Sequence, residues 1–247
     1  LLGFAGVDLP LGQVWRVSIE AQAGGILLPG GIGGDALRIA TVAARRPTRT
    51  AIVVASVLLD RAVGFAVVAG MAAALAFALG GAQAGPLASL LAIVPAAFVA
   101  GVTLLRRAPL HRIAWLVEGR LGAISRPVLD YARDPQAPRA VAMAAALSVL
   151  VAGVQFAVVR GLVFALGGAP TAEKWVYLGT AMAFVVSVLP GLPGAWGTAD
   201  AAYVFFFGLA GLPAGTALAV CLLYRLFWYL SGVVGAILHV ARPKFRT

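Results

Sequence analysis

Hydrophobic positions in this chain gather into long runs. Four of them reach the length of about 20 residues that a spanning helix needs. They cover roughly 50–79, 86–105, 140–166 and 214–240, and all are rich in Ala, Val and Leu. Each ends at a break: Gly80-Gly81, Arg106-Arg107, Gly167-Gly168 and Arg242-Pro243. Four further apolar stretches are short or interrupted, and they come in two pairs. The first pair, about 10–28 and 34–43, is split by Pro29-Gly30-Gly31-Ile32-Gly33. The second, about 172–189 and 198–209, is split by the segment from Pro190 through Pro193-Gly194-Ala195-Trp196-Gly197. Proline removes a backbone donor and glycine is a poor helix former, so both linkers interrupt a helix. Such a break within an apolar stretch is tolerated where the freed backbone lines protein or a water-filled cavity.

Composition sharpens this picture. The 247 residues are 62% hydrophobic and 11% charged, against about 45–50% and about 25% in soluble domains. A soluble enzyme, a disordered chain and a nucleic-acid-binding domain are disfavoured together. The fold class expected is an all-α, polytopic membrane helical bundle, a single membrane domain over 1–247. The net charge of +10 then concerns topology. Segment 44–49 holds Arg45, Arg46 and Arg49, segment 106–139 holds seven arginines against three acids, and the tail holds Arg242, Lys244 and Arg246. The alternating loops, 80–85, 167–175 and 210–213, hold only Lys174 among basic residues. The positive-inside rule puts the basic loops and the C-terminus in the cytoplasm of a protein of the plasma (inner) membrane. Segment 109–133 mixes arginines with Leu, Ile, Val and Trp. It reads as an amphipathic elbow on the membrane surface or as a solvated basic loop.

The two breaks resemble each other. Pro29-Gly30-x-Ile32-Gly33 matches Pro193-Gly194-x-Trp196-Gly197 at an offset of 164 positions. The same offset carries Leu58-Leu59-Asp60-Arg61 onto Leu222-Leu223-Tyr224-Arg225. An acid follows each break, Asp35 and Asp200, with one position of slippage. Three full spans lie between the copies, so the second copy enters from the opposite side. The pattern predicts two inverted-topology repeats, about 10–105 and 140–240, joined by the elbow at about 106–139. Each is a broken re-entrant hairpin followed by a long spanning helix, an architecture that recurs in transporters.

A charge inside a spanning helix costs about 2.5–3.5 kcal/mol on translocon scales, so it faces a cavity or a partner. Candidates are Glu20, Asp35, Arg38, Asp60, Arg61, Arg160, Asp200 and Arg225. Arg61 and Arg225 each fall about eleven residues, or about 16 Å, into their helices, near the middle of a 30 Å core. A glycine break leading into a helix offers free N–H groups to an anion, and arginine is a bidentate phosphate partner. The candidate headgroup-binding set is therefore Pro29, Gly30, Gly33, Gly34, Asp35, Arg38 and Arg61 from the first half. The second half supplies Pro193, Gly194, Trp196, Gly197, Asp200 and Arg225. Asp35 and Asp200 either cap the short helices or pair with the arginines, or else touch a cationic headgroup or carry a proton. Trp196 lines the cavity or simply packs. No catalytic set, metal site or cofactor motif is apparent. His111 and His239 are far apart, the glycine run lacks the Lys-Ser/Thr of a nucleotide loop, and Cys221 reads as a packing residue.

These segments resemble a known family. Leu28-Pro29-Gly30-Gly31-Ile32-Gly33-Gly34-Asp35-Ala36-Leu37-Arg38, with Leu58-Leu59-Asp60-Arg61, is similar to the first signature of the lysylphosphatidylglycerol synthase transmembrane-region (flippase-like) family. Pro193-Gly194-Ala195-Trp196-Gly197-Thr198-Ala199-Asp200, with Leu223-Tyr224-Arg225, resembles its second, where the family commonly has Glu in place of Asp200. The likeness covers nearly the whole chain and implies about eight helical segments, with a further family helix before Leu1. It implies a membrane protein that moves an anionic or aminoacylated phospholipid, or a polyprenyl-phosphate-linked lipid, between leaflets. Members fused to an aminoacyl-transferase domain modify the lipid; this chain has no such domain and is expected not to be an enzyme. The expected partners are membrane lipids and a lipid-modifying enzyme, with no nucleic acid. The alternatives are a membrane enzyme acting on a lipid-linked phosphate or sugar, and a non-transporting scaffold for a lipid-modifying enzyme.

Overall fold

The structure is a computed structural model that describes residues 10–27, 32–45, 50–79, 84–107, 122–171, 173–187 and 196–241. Among the described residues there are nine α-helices and no strand. They are α1 (Leu11–Leu27), α2 (Ile32–Arg45), α3 (Thr50–Leu79), α4 (Ala84–Arg107), α5 (Gly122–Arg133), α6 (Ala137–Ala165), α7 (Glu173–Ser187), α8 (Thr198–Leu209) and α9 (Ala214–Val240). The long helices α3, α4, α6 and α9 are apolar and long enough to cross a membrane. They coincide with the four hydrophobic runs. The start of α6 moves forward because Asp134 sets up an Asx turn, its carboxylate accepting from the Gln136 N–H at 2.7 Å.

The other apolar helices are too short to span. At 1.5 Å per residue, the 12 residues of α8 reach about 18 Å and the 17 of α1 about 26 Å, below the 30 Å core. Shifted by 164 positions, Thr50 at the start of α3 falls on Ala214 at the start of α9. One boundary differs from expectation: α2 begins at Ile32, so Gly33 and Gly34 are helical and not part of the break. The missing side chains of Gly34 and of Gly24 serve helix packing. A Cβ on Gly34 would lie 2.8 Å from the Ala21 carbonyl, and one on Gly24 would collide with the Gly33 carbonyl.

The chain divides into two compact units, one of residues 42–154 and one of 9–41 with 155–247. In the first, α3 packs on α4 and α5 packs on both. Gly70 of α3 meets the ring of Pro95, inside α4; a Cβ there would lie 3.7 Å from it. Helix α5 is amphipathic, burying Leu129 and Ala132 and exposing Arg126 and Asp130. The Arg133 Nε donates to the Leu105 carbonyl at 3.2 Å. The elbow expected over 109–133 is thus helical from 122; residues 109–121 lie outside the described residues.

In the second unit α9 is the central strut, packed by α1 and α8. Helices α7 and α8 run antiparallel: the Thr171 N–H bonds the Ala210 carbonyl at 2.9 Å, and Trp175 stacks on Phe206. Deeper along the pair, Gly179 of α7 receives Phe206 and Phe207 of α8. After the Gly211 turn, α9 runs back along α8, so Asp200 meets Cys221 and Arg225 and Trp196 meets Tyr229. Helix α1 lies along the other half of α9, also antiparallel. Arg16 donates to the Leu238 carbonyl at 3.1 Å, Ile19 and Ile26 meet Gly235 and Gly232, and Gly25 faces the Trp228 ring. Helix α2 turns back along α1, where Arg38 donates to Ser18 at 3.1 Å. The two helix pairs therefore approach α9 from its opposite ends. Their inner ends, Gly25-Ile26 and Trp196-Gly197, arrive at residues 225–232 of α9.

The α1–α9 seam combines backbone contact with a buried ion pair. Glu20, 1% exposed, takes the Arg16 Nε at 2.9 Å on one oxygen and lies 3.4 Å from the His239 Nδ1 on the other. Beside it a Cβ on Gly235 would overlap the Ile19 carbonyl, which is backbone and has no rotamer to yield. Gly235→Ala is therefore expected to destabilise the protein by about 1–3 kcal/mol, the usual cost of overpacking. Gly215→Ala, on the same helix with nothing within 4 Å, is expected to be neutral or slightly stabilising. Thermal unfolding in detergent checks both; equal midpoints for the two variants contradict the tight seam.

Candidate functional site

The middle of α9 presents one polar face in an otherwise apolar helix. Cys221, Arg225 and Tyr229 follow one another at spacing four, so they stack along a single side. Opposite them stands the start of α8. Gly197 adopts φ +84°, a left-handed conformation that glycine enters without steric penalty, and turns the chain into the helix. This brings Asp200 into the first turn of α8. Its carboxylate Oδ2 accepts the Gly197 N–H at 2.9 Å, closing the helix end.

The same carboxylate holds the arginine. Arg225 Nη2 donates to Asp200 Oδ1 at 2.8 Å and Nη1 to Oδ2 at 3.3 Å, a fork-on-fork pair. The Cys221 thiol donates to Oδ1 at 2.8 Å. Arg225 is 5% exposed. The Trp196 ring lies across its guanidinium, 4.0 Å from Cζ to the ring centroid, a cation–π contact. The Trp196 indole N–H in turn donates to the Tyr229 hydroxyl at 2.6 Å. A buried guanidinium is thus neutralised on its edge by Asp200 and covered on its face by Trp196. Trp196 itself is 42% exposed, so the covering ring marks the accessible side of the cluster.

Asp200 both caps α8 and pairs with Arg225, the first of its two readings. For the other expected site residues the placement is as follows. Pro29, Gly30, Pro193 and Gly194 lie outside the described residues. Gly33 and Gly34 pack α2 against α1, and Asp35 is half-buried in the first turn of α2. Arg38 reaches Ser18 of α1. Arg61 lies in the other compact unit, exposed on α3 beside an exposed Asp60. Arg160, near the end of α6, pairs with Glu173 at 3.2 Å and lies over Phe164, well exposed. Among the described residues no group of three His, Cys, Asp or Glu side chains is placed to hold a metal ion.

Residues 1–235 match the family model of the lysylphosphatidylglycerol synthase TM region. The chain belongs to this family. No curated protein and no solved structure matches it. A member of the lysylphosphatidylglycerol synthase TM-region family with four apolar helices of spanning length is an integral membrane protein related to lipid metabolism. Residue-by-residue reading missed two partners of this family member's buried arginine cluster. Cys221 reads in the sequence as a packing residue, and nothing there singles out Tyr229 by itself. Their spacing of four from Arg225 was the available signal. The Arg16–Glu20–His239 cluster was also missed as a unit, although Arg16 and Glu20 carry the same spacing.

The pairing has an energetic consequence. Removing one partner of a buried ion pair leaves the other uncompensated, at about 3–5 kcal/mol. Arg225→Ala and Asp200→Ala are each expected to destabilise strongly. The double variant is expected to cost clearly less than the two losses added. A double-mutant cycle of thermal stabilities in detergent measures the coupling; additive losses contradict the pair.

Proposed function

We propose that the protein moves a phosphate-bearing lipid, an anionic or aminoacylated phospholipid or a polyprenyl-phosphate-linked lipid, between the leaflets of the plasma (inner) membrane. One observation carries the reading: two non-spanning helix pairs approach α9 from opposite ends, one carrying its tip to a buried arginine about 16 Å from the start of α9 and the other to Trp228 and Gly232 further along. In a bilayer, helix pairs of this length that turn back midway are re-entrant, and their approach from opposite ends supports inverted repeats. A guanidinium at that depth is costly unless it has a use. Binding lipid phosphate through a charge-assisted fork is a use that matches its chemistry. The acyl chains stay in the bilayer while the headgroup passes the tips. Arg61 holds the equivalent position of α3 at the 164-position offset.

A binding role for Asp200 fits this reading better than a catalytic one. A carboxylate engaged by a guanidinium, a thiol and a backbone N–H is poorly placed to take a proton from substrate. We therefore read the chain as a transporter without enzymatic activity, served by lipids and by whichever enzyme modifies them.

Arg61→Ala and the double variant Arg225→Gln/Asp200→Asn, which removes both charges of the buried pair together, are expected to abolish transfer of a fluorescent phospholipid between leaflets of proteoliposomes, with the protein still folded. Unchanged transfer in both variants contradicts the role. The orientation is tested separately in a Cys221→Ala background. A membrane-impermeant maleimide is expected to label Ala169→Cys from outside and Arg246→Cys only after permeabilisation; the reverse pattern contradicts a cytoplasmic C-terminus.

A further inference from the structure

We propose that Asp200 is a built-in competitor for the lipid phosphate, a carboxylate that fills the Arg225 anion site until an incoming headgroup displaces it. The inference rests on reading Arg225 as the phosphate-binding group, and it adds how that group is kept occupied and released.

The donor set around Asp200 is the one an oxyanion takes. Oδ1 receives Arg225 Nη2 and the Cys221 thiol, both at 2.8 Å; Oδ2 receives the Gly197 N–H at 2.9 Å and Arg225 Nη1 at 3.3 Å. Two carboxylate oxygens here occupy the places of two phosphate oxygens. A phosphate taking the same fork leaves the guanidinium as well compensated as before, so the exchange is anion for anion. It does not require a buried arginine to stand alone at any step.

The competitor is carried on a different helix from the arginine whose site it fills. Asp200 belongs to α8, whereas Arg225 and Cys221 belong to α9. Helix α8 has only 12 residues and is bounded by Gly197 at φ +84° and Gly211 at φ +82°. The contacts with Arg225 and Cys221 break when α8 shifts from α9, but the Gly197 bond travels with Asp200 because both lie in one turn. A displaced Asp200 therefore keeps its helix-capping bond. The exposed side of the pair is the side of Asp200 and Trp196. The Asp200 side chain is 17% exposed against 6% for Arg225, and the half-exposed Trp196 ring meets α9 through the Tyr229 hydroxyl and the Arg225 guanidinium. A headgroup thus reaches the guanidinium by moving the carboxylate and the indole, not by burrowing past α9.

Two measurements test this on the full chain in neutral maltoside micelles. The first is retention of phosphatidylglycerol, and in parallel of inorganic phosphate, by native mass spectrometry. Asp200→Asn preserves shape and removes the competing charge, and it is expected to raise the affinity for phosphatidylglycerol by about tenfold or more. Asp200→Glu, which keeps the charge, is expected to stay near the native level, and Arg225→Gln to lose retention with or without Asp200→Asn. Unchanged or weaker retention in Asp200→Asn overturns the proposal. So does a gain for inorganic phosphate without one for the lipid, because the site then serves a soluble anion.

The second measurement needs no variant, so it stands even where Asp200→Asn fails to fold. Cys221 is the one cysteine of the chain, and its S–H infrared band reports the bond to Asp200. Doping the micelles with phosphatidylglycerol is expected to shift that band towards a weaker hydrogen bond; an unmoved band at saturating lipid overturns the proposal. Both readouts are independent of transfer between leaflets. A native protein that binds lipid competitively but does not transfer it ends the transport reading alone.

Discussion

A guanidinium sits near the midpoint of an apolar helix, and most of the second compact unit follows from keeping it there. Lipid offers it no water, so its charge is balanced from within the chain. The balancing carboxylate comes from a different helix, too short to span a membrane, whose first turn lies opposite Arg225. Hence α8 begins at a left-handed glycine opposite Arg225 and has just 12 residues. Hence also the indole next to that glycine lies flat on the guanidinium and is held there by Tyr229 one turn further along. Charge, helix length and bend position are one constraint expressed three times.

The opposite half of α9 is organised by a different force. There the helices approach until backbone meets backbone, with Gly232 and Gly235 receiving Ile26 and Ile19 of α1. Close approach of small residues is a usual way for helices to associate where lipid removes the hydrophobic drive between them. The buried Glu20, tied to Arg16 and beside His239, fixes the register of that seam at its outer end. With α1 fixed, its inner end arrives at Trp228, beside the tyrosine that holds Trp196. Dispersion and backbone packing position one tip and electrostatics positions the other. Their meeting near the middle of α9 gives the proposed headgroup path its depth.

Much of this was legible in the amino-acid order. The long runs became α3, α4, α6 and α9 because nothing but a helix satisfies an apolar backbone in lipid. The 164-position offset was legible because it is written in residues that dictate backbone, Pro and Gly at the breaks and Arg at depth. What surrounds each arginine was less legible, because the repeat does not extend to it. At that offset Cys221, Tyr229 and Trp196 correspond to Val57, Phe65 and Ile32, so the first half lacks the thiol, the hydroxyl and the covering indole. The glycines after Pro29 were read as an anion loop, yet Gly33 and Gly34 are spent on packing α2 against α1. Sequence order marks that a side chain is missing; only the neighbouring helix tells whether a ligand or a backbone fills the space. The pairing of Glu20 with His239 is illegible for a similar reason, since the two lie more than two hundred residues apart.

The central claim is that Arg225 receives a lipid phosphate at the meeting point of the two helix pairs. Its most direct test is an experimental structure of the chain in lipid nanodiscs containing phosphatidylglycerol. The account expects a phosphate within hydrogen-bond distance of the Arg225 guanidinium, with Asp200 turned away from it. A headgroup bound elsewhere, with the Asp200–Arg225 pair closed beneath Trp196 at saturating lipid, contradicts it.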